Sequence, residues 1–121
     1  MARILVVDDS ELFRSDMIDI LADLGHEVAG EAVDGADAVE KFALLRPDIT
    51  TMDITMPEKD GIEALEEILA LDPDAKVLMV SATAQKPTIS KALIIGAYGF
   101  VPKPLDRAEI ERAIAEIAYC D

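Results

Sequence analysis

Short apolar runs alternate with longer stretches in which apolar residues return every three or four positions. The runs fall at residues 4–7, 28–29, 49–52, 77–80 and 100–101, and the strongest are rich in β-branched residues. Such runs predict strands covered on both faces. Between them, Phe13, Met17, Ile20, Leu21 and Leu24 follow helical spacing. So do Val39, Phe42 and Ala43, then Leu65, Ile68 and Leu69, and finally Ile110, Ala113, Ile114 and Ile117. A fourth helix, around residues 88–95, carries a weaker pattern. Gly25, Pro47, Pro57, Gly61, Pro73, Gly96 and Gly99 punctuate the series. Five β-α units in succession predict an α/β fold: one doubly wound (βα)5 domain over residues 1–121, with a parallel sheet and helices on both faces.

Composition narrows the function. With 121 residues and 51% hydrophobic content the chain can bury a core. No apolar run approaches the roughly 18–20 residues that span a bilayer, and the N-terminal apolar stretch is too short for a signal peptide. One cysteine, Cys120, leaves no internal disulfide, which fits a reducing cytoplasm. The formal charge of −14 disfavours direct binding to nucleic acid or to anionic membrane. That charge is uneven: residues 1–83 hold 20 acids and 6 bases, residues 84–121 hold 5 of each. Most of the acids read as a solvated surface. The neutral final third is the part best suited to meet a protein partner.

In open parallel sheets, ligands bind beyond the carboxyl ends of the strands. Read there, the first strand ends in Asp8-Asp9, the third in Asp53 and the fourth in Ser81, and Lys103-Pro104 follows the fifth. Clustered carboxylates repel one another and resist burial. A hard divalent cation relieves that repulsion: Mg²⁺, with Mn²⁺ as an alternative. Taken alone, Asp8-Asp9 reads equally well as acids favoured at a helix start, with Ser10 as its cap. Asp53, at the tip of a buried strand, can act as a nucleophile toward phosphorus, with Lys103 pairing its charge and Ser81 donating to a phosphoryl oxygen. His26 and Cys120 read as structural and incidental.

The stretches 6–10 (VVDDS), 52–61 (MDITMPEKDG), 80–82 (VSA) and 96–104 (GAYGFVPKP) resemble, in order, the response-regulator receiver family. The resemblance covers essentially the whole chain and suggests the stand-alone, CheY-like chemotaxis type. It implies a flavodoxin-like sheet of order 2-1-3-4-5. It makes Asp53 the phosphoacceptor, charged by a partner histidine kinase. Asp8, Asp9, Asp53 and the backbone carbonyl of Thr55 become metal ligands, Ser81 and Lys103 phosphoryl contacts, and Ser81 with Phe100 the switch pair. Lys103-Pro104 is expected to be cis. The expected output face is the fourth helix, fifth strand and fifth helix, meeting a downstream target, of the motility apparatus in the chemotaxis reading. The resemblance further implies a monomer that assists its own phosphoryl transfer but is not otherwise an enzyme. Thr55 and Thr83, two residues after Asp53 and Ser81, offer no carboxamide or carboxylate to orient water, which predicts slow self-dephosphorylation.

Two other readings remain open. The chain reads also as a receiver from a longer regulator, a transcription factor or methylesterase. A small aspartyl-phosphate phosphatase is the enzyme alternative, but it requires a second acid where Thr55 stands.

Overall fold

The computed structural model describes residues 1–82 and 85–118. Ten elements alternate: β1 (Arg3–Val7), α1 (Glu11–Asp23), β2 (Glu27–Ala32), α2 (Gly35–Leu45), β3 (Ile49–Met52), α3 (Gly61–Leu71), β4 (Val77–Ser81), α4 (Lys86–Ile95), β5 (Gly99–Pro102) and α5 (Arg107–Ala118). All strand pairs are parallel, and the order is β2-β1-β3-β4-β5. Fold class and strand order both match the expectation.

Period-two alternation sorts the strand side chains into two cores. Leu5, Val7, Met52, Val77 and Met79 pack with α2, α3 and α4. Ile4, Val6, Ile49, Leu78 and Val80 pack with α1 and α5, through Met17, Leu21, Ile110, Ile114 and Ile117. Each fully buried side chain of this size contributes about 1.5–3 kcal/mol. The central strands are thus gripped from both sides, and their carboxyl ends are held in fixed register.

Four helices start on capping side chains, α5 through Asp106, which accepts from the N–H of Ala108 at 2.8 Å. The N–H of Phe13 donates to Ser10 Oγ at 3.4 Å, that of Asp37 to Asp34 at 2.8 Å, and that of Glu63 to Asp60 at 2.9 Å. Each satisfies a backbone donor that the helix leaves unpaired. α1 ends before Gly25, whose φ of 87° is the left-handed turn that releases the chain toward β2.

Two boundaries differ from the sequence expectation. β2 runs from Glu27 to Ala32, longer than residues 28–29, because an edge strand tolerates Glu27, Gly30 and Glu31. α4 begins at Lys86, with Pro87 in its first turn, where the missing N–H is no loss. Tyr119, where the last helix was expected to end, lies outside the described residues, as do Cys120 and Thr83. Lys103-Pro104 is cis, as expected. Among the described residues no helix is long and apolar enough to cross a membrane.

Candidate functional site at the carboxyl edge of the sheet

β1 and β3 are neighbours in register, Val7 opposite Met52. The residues that follow them therefore emerge side by side, and Asp53 N–H donates to the Val7 carbonyl at 3.0 Å. Asp8 and Asp53 are 6% and 5% exposed, a burial that carboxylates rarely show without a partner. Asp9 is exposed beside them. One carboxylate oxygen from each of Asp8, Asp9 and Asp53 lies within 4.8 Å of the others.

Lys103 closes the group from the far side. Its N–H donates to the Ser81 carbonyl at 3.0 Å, tying the turn after β5 to the end of β4. Its ammonium lies 2.8 Å from Asp8 Oδ2 and 3.6 Å from Asp53 Oδ1. Backbone donors complete the shell: Ser10 N–H to Asp8 Oδ1 and Ile54 N–H to Asp53 Oδ1, both at 2.9 Å. Burial, then repulsion from Asp8, raises the Asp53 carboxyl to about 6, against the opposing pull of Lys103 and the Ile54 N–H. One ammonium therefore does not balance three carboxylates. An all-oxygen donor set with surplus negative charge fits a hard divalent cation.

The remaining expected residues are placed as follows. Ser81 is buried at 2% exposure at the end of β4. Phe100 sits opposite Met79 on β5 and packs, half-buried, against the core on the α3 and α4 side. Ser81 is two residues beyond Met79, so it shares that face of the sheet. Thr55 lies exposed on the loop after β3. The structure thus gathers Asp8, Asp9, Asp53 and Lys103 directly and puts Ser81 and Phe100 on one sheet face.

Sequence reading missed three supports. Arg14 donates to the Asp8 carbonyl at 2.8 Å and bonds Glu31 of β2 at 3.0 Å, bracing the loop that carries the acids. Gly61 opens α3 against the Asp53 backbone: a Cβ there would lie 2.0 Å from the Asp53 carbonyl oxygen. Phe13, expected on the core stripe of α1, presents its ring to Lys103 at 4.0 Å from ammonium to centroid. The Asp-Gly pair at 60–61 signalled a turn; contacts between elements left no signal for the other two.

A doubly wound parallel sheet, with a carboxylate triad and a lysine at its carboxyl edge, puts the protein in the α/β class whose ligands bind at that edge. Residues 4–115 match the family model described as "Response regulator receiver domain". The chain belongs to that family. It is 44% identical over 116 residues to the chemotaxis protein CheY of Thermotoga maritima, covering 96% of this chain and 97% of that one. It is 48% identical over 117 residues to CheY of Treponema pallidum, covering 95% and 81%. Among solved structures it resembles a chain of the CheX-CheY-BeF3-Mg complex from Borrelia burgdorferi. There the TM-score is 0.94 at 36% identity, over 98% of this chain and 90% of that one. The protein is a response regulator of two-component signalling, of the kind that serves chemotaxis: a switch fed by a phosphodonor histidine kinase and read by downstream proteins.

Proposed function

We propose that Asp53 accepts a phosphoryl group from a phosphohistidine of the partner kinase, and that this chemistry runs in a single receiver domain spanning residues 1–121. The observation that carries this reading is the burial of Asp53 between two further carboxylates and the Lys103 ammonium. A carboxyl held near 6 is ionised at neutral pH and able to attack phosphorus. The new bond joins an Asp53 oxygen to phosphorus as the phosphorus–nitrogen bond to the donor imidazole breaks. Lys103, already between Asp8 and Asp53, can follow the charge onto the phosphoryl oxygens. Ser81, buried at the end of β4, would donate a hydrogen bond to one of them. Asp8, Asp9, Asp53 and the Thr55 carbonyl would hold Mg²⁺ or Mn²⁺, which neutralises the carboxylates and the transferring group. The magnesium and beryllofluoride in the Borrelia complex support this assignment.

Output follows from the shared sheet face. A phosphoryl group that draws Ser81 toward it leaves room for Phe100 to turn inward, where burying the ring is worth roughly 1.5–3 kcal/mol. That is the scale on which a two-state equilibrium shifts. α4 carries Lys86 and Lys91 and no acid, and exposed Leu93, Ile94 and Tyr98 adjoin them. This surface suits a target of the motility apparatus. Arg107, at the start of α5, is engaged with Asp23 of α1 at 3.0 Å. The switch acts as a monomer in the cytoplasm.

The test is incubation with acetyl phosphate and Mg²⁺. Wild type should gain an acid-stable, base-labile phosphoryl adduct, and Asp53→Ala should not. Equal labelling of the alanine variant removes Asp53 from the role.

A further inference from the structure

The Lys103 ammonium has a third neighbour besides its two carboxylate partners. Its side chain is 9% exposed, yet the Asp53 oxygen stands 3.6 Å away, beyond a good hydrogen bond. Asp8, at 2.8 Å, covers one side. Another side is covered by the face of Phe13, whose centroid is 4.0 Å from the nitrogen. An aromatic face attracts a cation through its quadrupole, and the attraction grows when water is excluded. Phe13 is also the residue whose N–H is capped by Ser10, so its place in the first turn of α1 is set by the loop that carries Asp8 and Asp9. It sits at the margin of the α1–α5 core, beside Val6, Met17, Val80 and Leu105, and is itself only half-buried. Its ring therefore borders the core and turns its face to the site.

We propose that Phe13 is a positioning residue for Lys103. Its ring face holds the ammonium over the Asp8–Asp53 edge and keeps water from that side, so that Lys103 meets the incoming phosphoryl group already placed. This rests on the reading of Asp53 as acceptor. Loss of the ring leaves the lysine to its two carboxylates, Asp8 at 2.8 Å and Asp53 at 3.6 Å, and freer to sample solvent. Lys103 then spends part of its time away from the acceptor, and capture of the phosphoryl group slows. Binding of Mg²⁺, which depends on the carboxylates, is little changed.

Phe13→Leu keeps an apolar side chain at a half-buried position, and Phe13→Tyr restores the aromatic face. Two readouts separate placement from chemistry. A ring 4.0 Å from the ammonium shifts the neighbouring Lys103 Hε resonances upfield. That shift should be present in wild type and Phe13→Tyr and lost in Phe13→Leu. The rate of Asp53 labelling by acetyl phosphate at saturating Mg²⁺ should fall about three- to tenfold in Phe13→Leu. It should return toward wild type in Phe13→Tyr, and the Leu penalty should vanish in a Lys103→Gln background. A Leu penalty that persists without Lys103, or that Tyr does not rescue, overturns the proposal, as does an unshifted Lys103 in wild type. A wild type that takes no phosphoryl group overturns the acceptor reading instead, while the resonance still decides where Lys103 sits.

Discussion

Asp53→Asn should stabilise the metal-free protein at neutral pH. The carboxyl is raised from 3.8 to about 6, by burial first and the Asp8 charge second, and the figure already nets off Lys103 and the Ile54 N–H. An acid with a higher value folded than unfolded binds its proton more tightly in the folded state. Its ionisation therefore opposes folding. The penalty is absent below about 3.8, builds as pH rises through the interval, and is complete above about 6. A gap of roughly two units corresponds to about 3 kcal/mol. Asparagine keeps the size of the side chain and an oxygen to accept from Ile54, and it leaves Lys103 its closer partner, Asp8 at 2.8 Å.

The assay is urea unfolding of both proteins in a chelator from pH 4 to pH 8. The variant should gain stability at pH 7.5–8, on the order of 2–3 kcal/mol, and the gain should shrink as pH falls toward 4. Adding Mg²⁺ should stabilise wild type in proportion to the logarithm of its concentration and narrow or reverse the ranking. A variant no more stable than wild type at pH 8 without metal refutes the reasoning. So does a gain that is independent of pH.

Three further outcomes follow from the same geometry. Wild-type Mg²⁺ affinity, read by titration, should fall as pH drops through about 6, because a protonated Asp53 is a poor ligand, and Asp8→Asn should weaken it roughly tenfold or more at pH 7.5. Gly61→Ala drives a Cβ to 2.0 Å from the Asp53 carbonyl oxygen, so it should cost roughly 1–3 kcal/mol in denaturant unfolding and slow labelling of Asp53; full retention of both would show that the backbone moves aside freely. Phe100→Ala and Lys91→Glu should weaken beryllofluoride-dependent target binding, measured calorimetrically, whereas Glu40→Lys on α2 should not.

What the sequence made legible was what repeats or what ends an element. The apolar runs of β1, β3 and β4 are buried on both faces, so their pattern is dense and their last residues could be named: Asp8, Asp53 and Ser81. β2 was seen only at its apolar centre, because among the described residues it pairs with β1 alone and polar residues cost little at such an edge. α4 was weak for a related reason: Ala92 is its buried residue, while Leu93 and Ile94 point outward. Helical spacing put Phe13 on the inward face of α1, where it lies beside Met17 and Val80, but could not report that its ring also meets Lys103. Arg14 and Gly61 act across 6 and 8 residues on atoms of the backbone, and no spacing rule reports such contacts.

The two-cored sheet also explains why a change at one edge can reach another surface. Asp53 and Ser81 end neighbouring strands whose inward side chains are almost wholly buried, so neither strand can shift without repacking. What can move lies beside them. Ser81 is a small side chain at the strand tip, and Phe100 is a ring that is only partly buried on the outermost strand. Among the described residues β5 pairs with β4 alone, so turning its ring disturbs a single ladder. The neighbouring α4 buries few of its side chains. An edge strand and a lightly anchored helix are the parts of this fold least costly to rearrange. A charge placed on Asp53 should therefore be relieved there and not through β1, where Arg14 and Lys103 brace the acid loop from two sides.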